Sequence, residues 1–272
     1  MNKQIFRFGS LTAATAMFSM SMFALVAYAN NSWGGYHWAR TVNPLVLKLG
    51  DNVSVGWDSY LQSVSTDWSQ SSVLNTTVVA GQSNPKNCRA TNGRVEVCNN
   101  RYGNNGWLGI ASVWINGSHI TQGTVKLNDT YFNTSKYNTP AWRNLVACQE
   151  VGHTLGLDHQ DETFDNPNLG TCMDYTNDPD GTIFGQLDNQ HPNQHDYDEL
   201  GVIYAHQDSF NSSLLSLLGK NSSASQAANN VDTSNASEWG KVVRTSHDGR
   251  SSLYERDFGR GHKVFTFVIW AN

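Results

Sequence analysis

In the run Gln149-Glu150-Val151-Gly152-His153-Thr154-Leu155-Gly156-Leu157-Asp158-His159, side chains able to hold a metal ion recur at helical spacing. On an α-helix, positions i and i+4 share a side with Cβ atoms about 5–6 Å apart, so Gln149 and His153 point the same way and can share one ion. Glu150 projects beside them, placed to take a proton from water rather than to ligate. Gly156 ends the helix and permits the left-handed backbone of a sharp turn, which brings His159 back toward His153. Two histidines and a carboxylate are thereby expected to converge.

Working outward, Thr139-Pro140 opens this helix, since Thr caps well and Pro is tolerated at the first helical position. The helix is expected over residues 140–155, with Trp142, Leu145, Val146 and Cys148 on its core-facing stripe. Upstream, a strand is expected at 45–49, an amphipathic helix around 58–69 and a β-rich stretch at 76–80. Residues 83–106, rich in Asn, Gly and Arg, read as a long surface loop. Strand-like runs at 107–115 and 120–132 flank the turn signal Asn116-Gly117-Ser118 and suggest a hairpin. Downstream, 160–192 is acidic and loop-rich, and a second helix is expected over 194–206 with Tyr197, Leu200, Val202, Ile203 and Tyr204 buried. A Ser/Asn-rich linker is expected over 211–237. Residues 238–272 read as a small β-rich C-terminal segment, either a separate module or strands completing the main core. Its last run, Lys263 to Trp270, is apolar on both faces and must be covered.

The chain has 272 residues, 15% of them charged, a formal net charge of −5 and no basic block, which argues against a nucleic-acid partner. Residues 1–29 read as a secretory signal: Lys3 and Arg7 precede an apolar run from Leu11 to Val26 and the cleavage site Ala27-Tyr28-Ala29. Export to the medium or a periplasm is expected, with no membrane span in the mature chain and a monomeric state. In an oxidising compartment the four cysteines read as two disulfides, with three connectivities open. Cys88 with Cys98 would close a short polar loop; Cys148 with Cys172 would tie the metal helix to the segment around Met173.

The histidine run, followed by Cys172-Met173-Asp174-Tyr175, resembles the metzincin metalloproteases, whose motif H-E-x-x-H-x-x-G-x-x-H precedes a methionine turn. The resemblance spans roughly residues 33–206 and implies an α+β zincin-like domain over 30–210: mixed twisted sheet, active-site helix, Met-turn and C-terminal helix. It also implies one catalytic Zn²⁺ held by Gln149, His153 and His159, with Met173 packed beneath. The activity implied is an endopeptidase acting on proteins or peptides, with Glu150 as general base for an activated water and Tyr175 as oxyanion stabiliser. The sequence departs from the motif at Gln149, where the family has His, and an amide oxygen is a weaker zinc ligand than an imidazole nitrogen. Three outcomes stay open: Gln149 ligates through oxygen, Tyr175 or water completes a site anchored by His153 and His159, or the metal is lost. The last would leave a catalytically silent, peptide-binding scaffold.

Asp161, Glu162, Asp165, Asp178 and Asp180 are a possible Ca²⁺ set, but an exposed acidic loop is the commoner explanation, and no calcium site is assigned. His191, His195 and His206 read as capping or surface residues, and His37, His119, His247 and His262 stand apart from any ligand-spaced partner. No room for a pro-domain is evident before the first core-like segment, so the means of restraining such an enzyme is left open.

Overall fold

Alternation sets the first long strand. Leu45, Leu47 and Leu49 of β2 (Leu45–Asn52) are buried while Val46 and Lys48 face solvent, the period-two pattern of a strand covered on one side. A computed structural model describes residues 31–212 and 223–271. The expected signal segment lies outside the described residues.

The described chain forms an α+β structure around one nine-stranded mixed sheet. The elements before the active helix are β1 (His37–Trp38), β2, α1 (Asp58–Trp68), β3 (Leu74–Ala80), β4 (Val95–Asn100), β5 (Trp107–Asn116), β6 (His119–Asn128) and the one-turn α2 (Asp129–Phe132). Then come α3 (Pro140–Thr154), α4 (Gln194–Ile203), α5 (Ser223–Asn229), β7 (Lys241–Thr245), β8 (Ser251–Gly259) and β9 (His262–Trp270). The strand order is β3-β2-β4-β6-β5-β9-β8-β7, with β1 paired to β6. Strands β3, β2, β4 and β6 run parallel; from β6 through β5, β9 and β8 to β7 every pairing is antiparallel.

Helix α3 begins as its sequence requires, with the Thr139 side chain accepting from the Trp142 N–H and Pro140 in the first turn. It lies under the sheet with Trp142, Leu145, Val146 and Val151 in the main core. Trp68 of α1 donates its indole N–H to the Cys148 carbonyl at 3.2 Å, locking the two helices together. Both disulfides form, Cys88–Cys98 and Cys148–Cys172.

The structure corrects several expectations and settles one alternative left open. The segment 83–106 is not all loop, for β4 is a central strand paired on both sides. Its polar composition misleads because Glu96 is buried yet paired, with Arg94 Nε in an ion pair at 3.0 Å and with the Asn52 amide donating to it at 2.6 Å. Val202 on α4 is exposed, while its neighbours Leu200 and Ile203 are buried, because the helix turns only one stripe inward. The C-terminal strands complete the main sheet: β9 pairs with β5 along its length. The apolar faces of β9 are covered as its composition demands. Phe265, Phe267 and Ile269 join the main core, whereas Val268 packs with Trp107 and Trp239, and Val264 with Trp114 and Ala228 of α5. Part of the expected linker is therefore the ordered α5, whose Ala228 carbonyl accepts from the Trp114 indole at 2.8 Å. The helix expected at 194–206 ends at Ile203.

Candidate active site

The last turn of α3 makes the site. Gly156 sits at φ +105°, and a Cβ there would lie 2.5 Å from the Tyr36 carbonyl oxygen, so only glycine permits the reversal. The reversal lets the Leu157 carbonyl accept from His153 Nδ1 at 2.9 Å. Two residues later, His159 Nδ1 donates to Glu162 Oε1 at 2.9 Å. Both rings thus carry their hydrogen on Nδ1, which leaves the lone pair on Nε2. Both Nε2 atoms are buried and have no hydrogen-bond partner. The rings meet edge to face with centroids 4.6 Å apart, and Tyr175 lies 4.6 Å beyond His159.

Gln149 is buried and donates its amide N–H to the Cys172 carbonyl at 2.8 Å. That bond fixes the amide orientation and leaves Oε1 as its acceptor atom. Gln149 and Tyr175 line one apolar pocket, walled by Trp142, Phe164, Arg250 and Trp270. Met173 packs beneath the helix, where a Cβ on Gly152 would come within 2.5 Å of its Sδ. The Met173 carbonyl accepts from the Gln160 N–H at 2.6 Å and the Tyr175 N–H reaches the Asp161 carbonyl at 3.2 Å, so this turn is laced to the loop carrying His159.

Glu150 is fully buried against Gly109 of β5. Neither carboxylate oxygen has a sound hydrogen bond, although the Ala111 backbone lies close. Burial drives its pKa well above the ordinary carboxylate range. Burial likewise pushes the Tyr175 hydroxyl up, helped by the charge of Glu150. Burial holds His153 well below the usual imidazole value, which keeps it a neutral donor.

The residues present fit a zinc ion in two respects: paired imidazoles with Nδ1 anchored to acceptors and Nε2 orphaned in the interior are arranged as such ligands are. At the third motif position the chain offers only the Gln149 amide oxygen, a harder and weaker donor than imidazole. A different grouping, Asp158, His159 and Glu162, also converges, but a guanidinium already fills it. Arg244 of β7 reaches Asp158 through Nη1 at 2.7 Å and Nη2 at 2.5 Å, and Glu162 through Nε at 3.0 Å.

No protein-family model matches the chain, and no curated protein matches it in sequence. Among solved structures, the chain is similar to a fish protease. That protease is high choriolytic enzyme 1, a hatching-enzyme zinc protease from medaka fish (Oryzias latipes), 11% identical over 63% of this chain and 95% of that one, with a TM-score of 0.34. At so distant a likeness, what the site can do rests on its own residues.

The site is closed by the chain itself. Phe267 of β9 stacks on His153 at 4.1 Å with the ring planes 10° apart, and Arg244 of β7 holds the loop after α3. None of this was legible from the motif. The acidic residues of the loop do not gather: the Asp178 carboxylate caps the Ile183 and Phe184 N–H groups, Asp161 caps Thr163 and Asp180 caps Thr182. Three histidines expected to stand alone or to lie on the surface, His37, His119 and His206, instead meet at Asp208.

Proposed function

We propose that the chain is a secreted zinc-dependent endopeptidase, present here in a closed state. One observation carries this reading: two imidazoles with anchored Nδ1 and orphaned, buried Nε2 meet edge to face 4.6 Å apart, and the buried Glu150 lies three residues before the first of them on the same helix. Two buried imidazole nitrogens without partners, on rings 4.6 Å apart, are costly in an apolar interior unless a cation joins them. His153 and His159 would hold the ion, with Gln149 Oε1 as the third donor. When bound, zinc supplies Lewis acidity to a carbonyl and lowers the pKa of water.

The chain's own groups do the rest. Glu150 accepts a proton from the attacking water and returns it to the leaving amine, a role suited to a carboxyl whose affinity for protons is raised by burial. Tyr175 donates its hydroxyl hydrogen to the oxygen on which charge develops. The Cys148–Cys172 disulfide joins the helix bearing Gln149 to the turn bearing Met173, which stiffens the constellation. The two disulfides fit an extracellular setting, and no helix among the described residues is long and apolar enough to cross a membrane. A peptide reaching His153 needs the space that Phe267 fills, so β7–β9 act as the restraint and must shift for turnover.

The test is zinc stoichiometry together with digestion of casein and a peptide library, with and without chelator, before and after limited proteolysis. Chelator-sensitive cleavage that appears or rises on nicking supports the reading. Stoichiometric zinc without cleavage under any of these conditions removes the enzyme. The rival reading, a silent metzincin-like binding protein, draws on Gln149, whose amide is engaged with Cys172. It predicts that Gln149→His creates activity that the parent lacks.

A further inference from the structure

Away from α3, three histidines end on one carboxylate oxygen. His119 Nε2 lies 3.0 Å from Asp208 Oδ1, and the Nε2 atoms of His37 and His206 each lie 3.6 Å from it. Strands β1 and β6 pair in parallel with His37 opposite His119, which delivers two imidazoles side by side. Their ring centroids are 4.8 Å apart, and the His206 ring is also 4.8 Å from that of His37. Asp208 arrives from the turn after α4 already fixed. Its N–H donates to the Arg40 carbonyl at 2.7 Å and its Oδ2 accepts the Arg40 N–H at 3.0 Å, so Oδ1 is the atom presented to the histidines.

His119 is hydrogen-bonded to Asp208 Oδ1 through Nε2 at 3.0 Å, and the shortfall in the cluster lies at His37. The His37 side chain is 6% exposed. Its Nδ1–H donates to the Gly35 carbonyl at 3.1 Å, which puts the lone pair on Nε2, and Nε2 has no hydrogen-bond partner. A buried nitrogen lone pair then faces a carboxylate oxygen across 3.6 Å, which is repulsive. Making all three rings cationic would crowd three like charges around one oxygen. A divalent cation bound there would take the His37 lone pair as a ligand and balance the Asp208 carboxylate.

We propose that His37, His119, His206 and Asp208 bind a second divalent transition-metal ion, zinc by preference, independent of the α3 constellation. His37, His206 and Asp208 already place one donor atom each within 4.8 Å of one another, and His119, hydrogen-bonded to Asp208 Oδ1, would complete with them a four-donor set suited to tetrahedral zinc of a structural site. Gly35 and Arg40 supply the outer hydrogen bonds that orient such ligands. The ion would staple the N-terminal strand to β6 and to the end of α4. Its neighbours hold the frame of α3: Trp38 donates its indole N–H to the Thr154 carbonyl at 2.8 Å, and Tyr204 donates its hydroxyl to the Leu155 carbonyl at 2.9 Å.

The test uses the full chain, stripped with EDTA and titrated with Zn²⁺ against a chromophoric chelator, with elemental analysis of the product. A His153→Ala/His159→Ala chain is expected to retain one zinc per chain. Adding His206→Ala, at the ligand that is 60% exposed and least packed, should weaken that zinc by about 100-fold or more, and Asp208→Asn should do the same. Co²⁺ in its place should show the intense visible bands of four-coordinate cobalt, lost in His206→Ala. Should the double variant not fold, His206→Ala in the parent background is expected to lower zinc content by one ion. A folded double variant that takes up no zinc overturns the proposal, as does zinc content and affinity unchanged by His206→Ala and Asp208→Asn.

Discussion

His153 and His159 lie six residues apart on one helix and its exit turn, whereas His37, His119 and His206 are each more than 80 residues from the next. The first pair is placed by helical geometry and one glycine, and would come together in any fold that preserved that helix and turn. The second cluster exists only because β1 pairs with β6 and α4 ends beside them. Their exposure differs as well. His153 is fully buried beneath Phe267 of β9 and Glu150 against Gly109 of β5, while the second cluster reaches the surface through His206. Under the two proposals above, the α3 cluster serves turnover and the Asp208 cluster scaffolding.

The sharpest way to separate the two roles is Glu150→Gln. It should lower chelator-sensitive cleavage by about 10²–10⁴-fold, the usual worth of a general base, with zinc content unchanged. Full activity in that variant would leave the α3 cluster no more catalytic than the other. Phe267→Ala removes the ring stacked on His153 and should cost about 3–5 kcal/mol in urea unfolding, while speeding diethyl pyrocarbonate modification of His153. A loss below about 1 kcal/mol would mean that β9 does not seal the site.

A buried cation without a metal-type partner set offers a control on both clusters. Lys126, fully buried on β6, has Ser234 Oγ at 2.6 Å, and burial lowers its pKa from 10.5 to about 8. The unfolded chain therefore binds the extra proton between about pH 8 and 10.5, so stability rises with pH across that window and the penalty is complete below it. The shift corresponds to about 3 kcal/mol. Lys126→Met should flatten the rise, as read by chemical denaturation at pH 7 and pH 10; a slope equal to that of the parent would contradict the burial cost. The smallest effect expected is Gln149→His, which should tighten zinc at the α3 site by about tenfold or more through exchange of an amide oxygen for an imidazole nitrogen. Zinc at the Asp208 cluster should not change, and equal tightening at both would show that the two ions are coupled.

Much of the active helix could be read in advance. Thr139, Pro140 and Gly156 act within a few residues of themselves, so the start of α3 and the turn to His159 follow from local backbone preferences. Strand β4 escaped notice because burial of Glu96 depends on Arg94 and on Asn52, a residue of another strand. The histidines gathered at Asp208 escaped for a stronger reason: no spacing rule links His37, His119 and His206, and the first signal that joins them is strand register. The occupation of Asp158 and Glu162 by Arg244 was equally hidden, since β7 joins the sheet only at the far end of the chain.

Residue order alone therefore settled the helix, its cap, its glycine stop and the presence of two imidazoles and a carboxyl at one end of it, because each depends on torsions and neighbours a few positions away. Which side of β5 would be taken by β9, which ring would press on His153, and which distant histidines would gather at Asp208 were decided by sheet pairing and core packing. Those interactions join segments that carry no local trace of one another, so only the folded chain brings them into being.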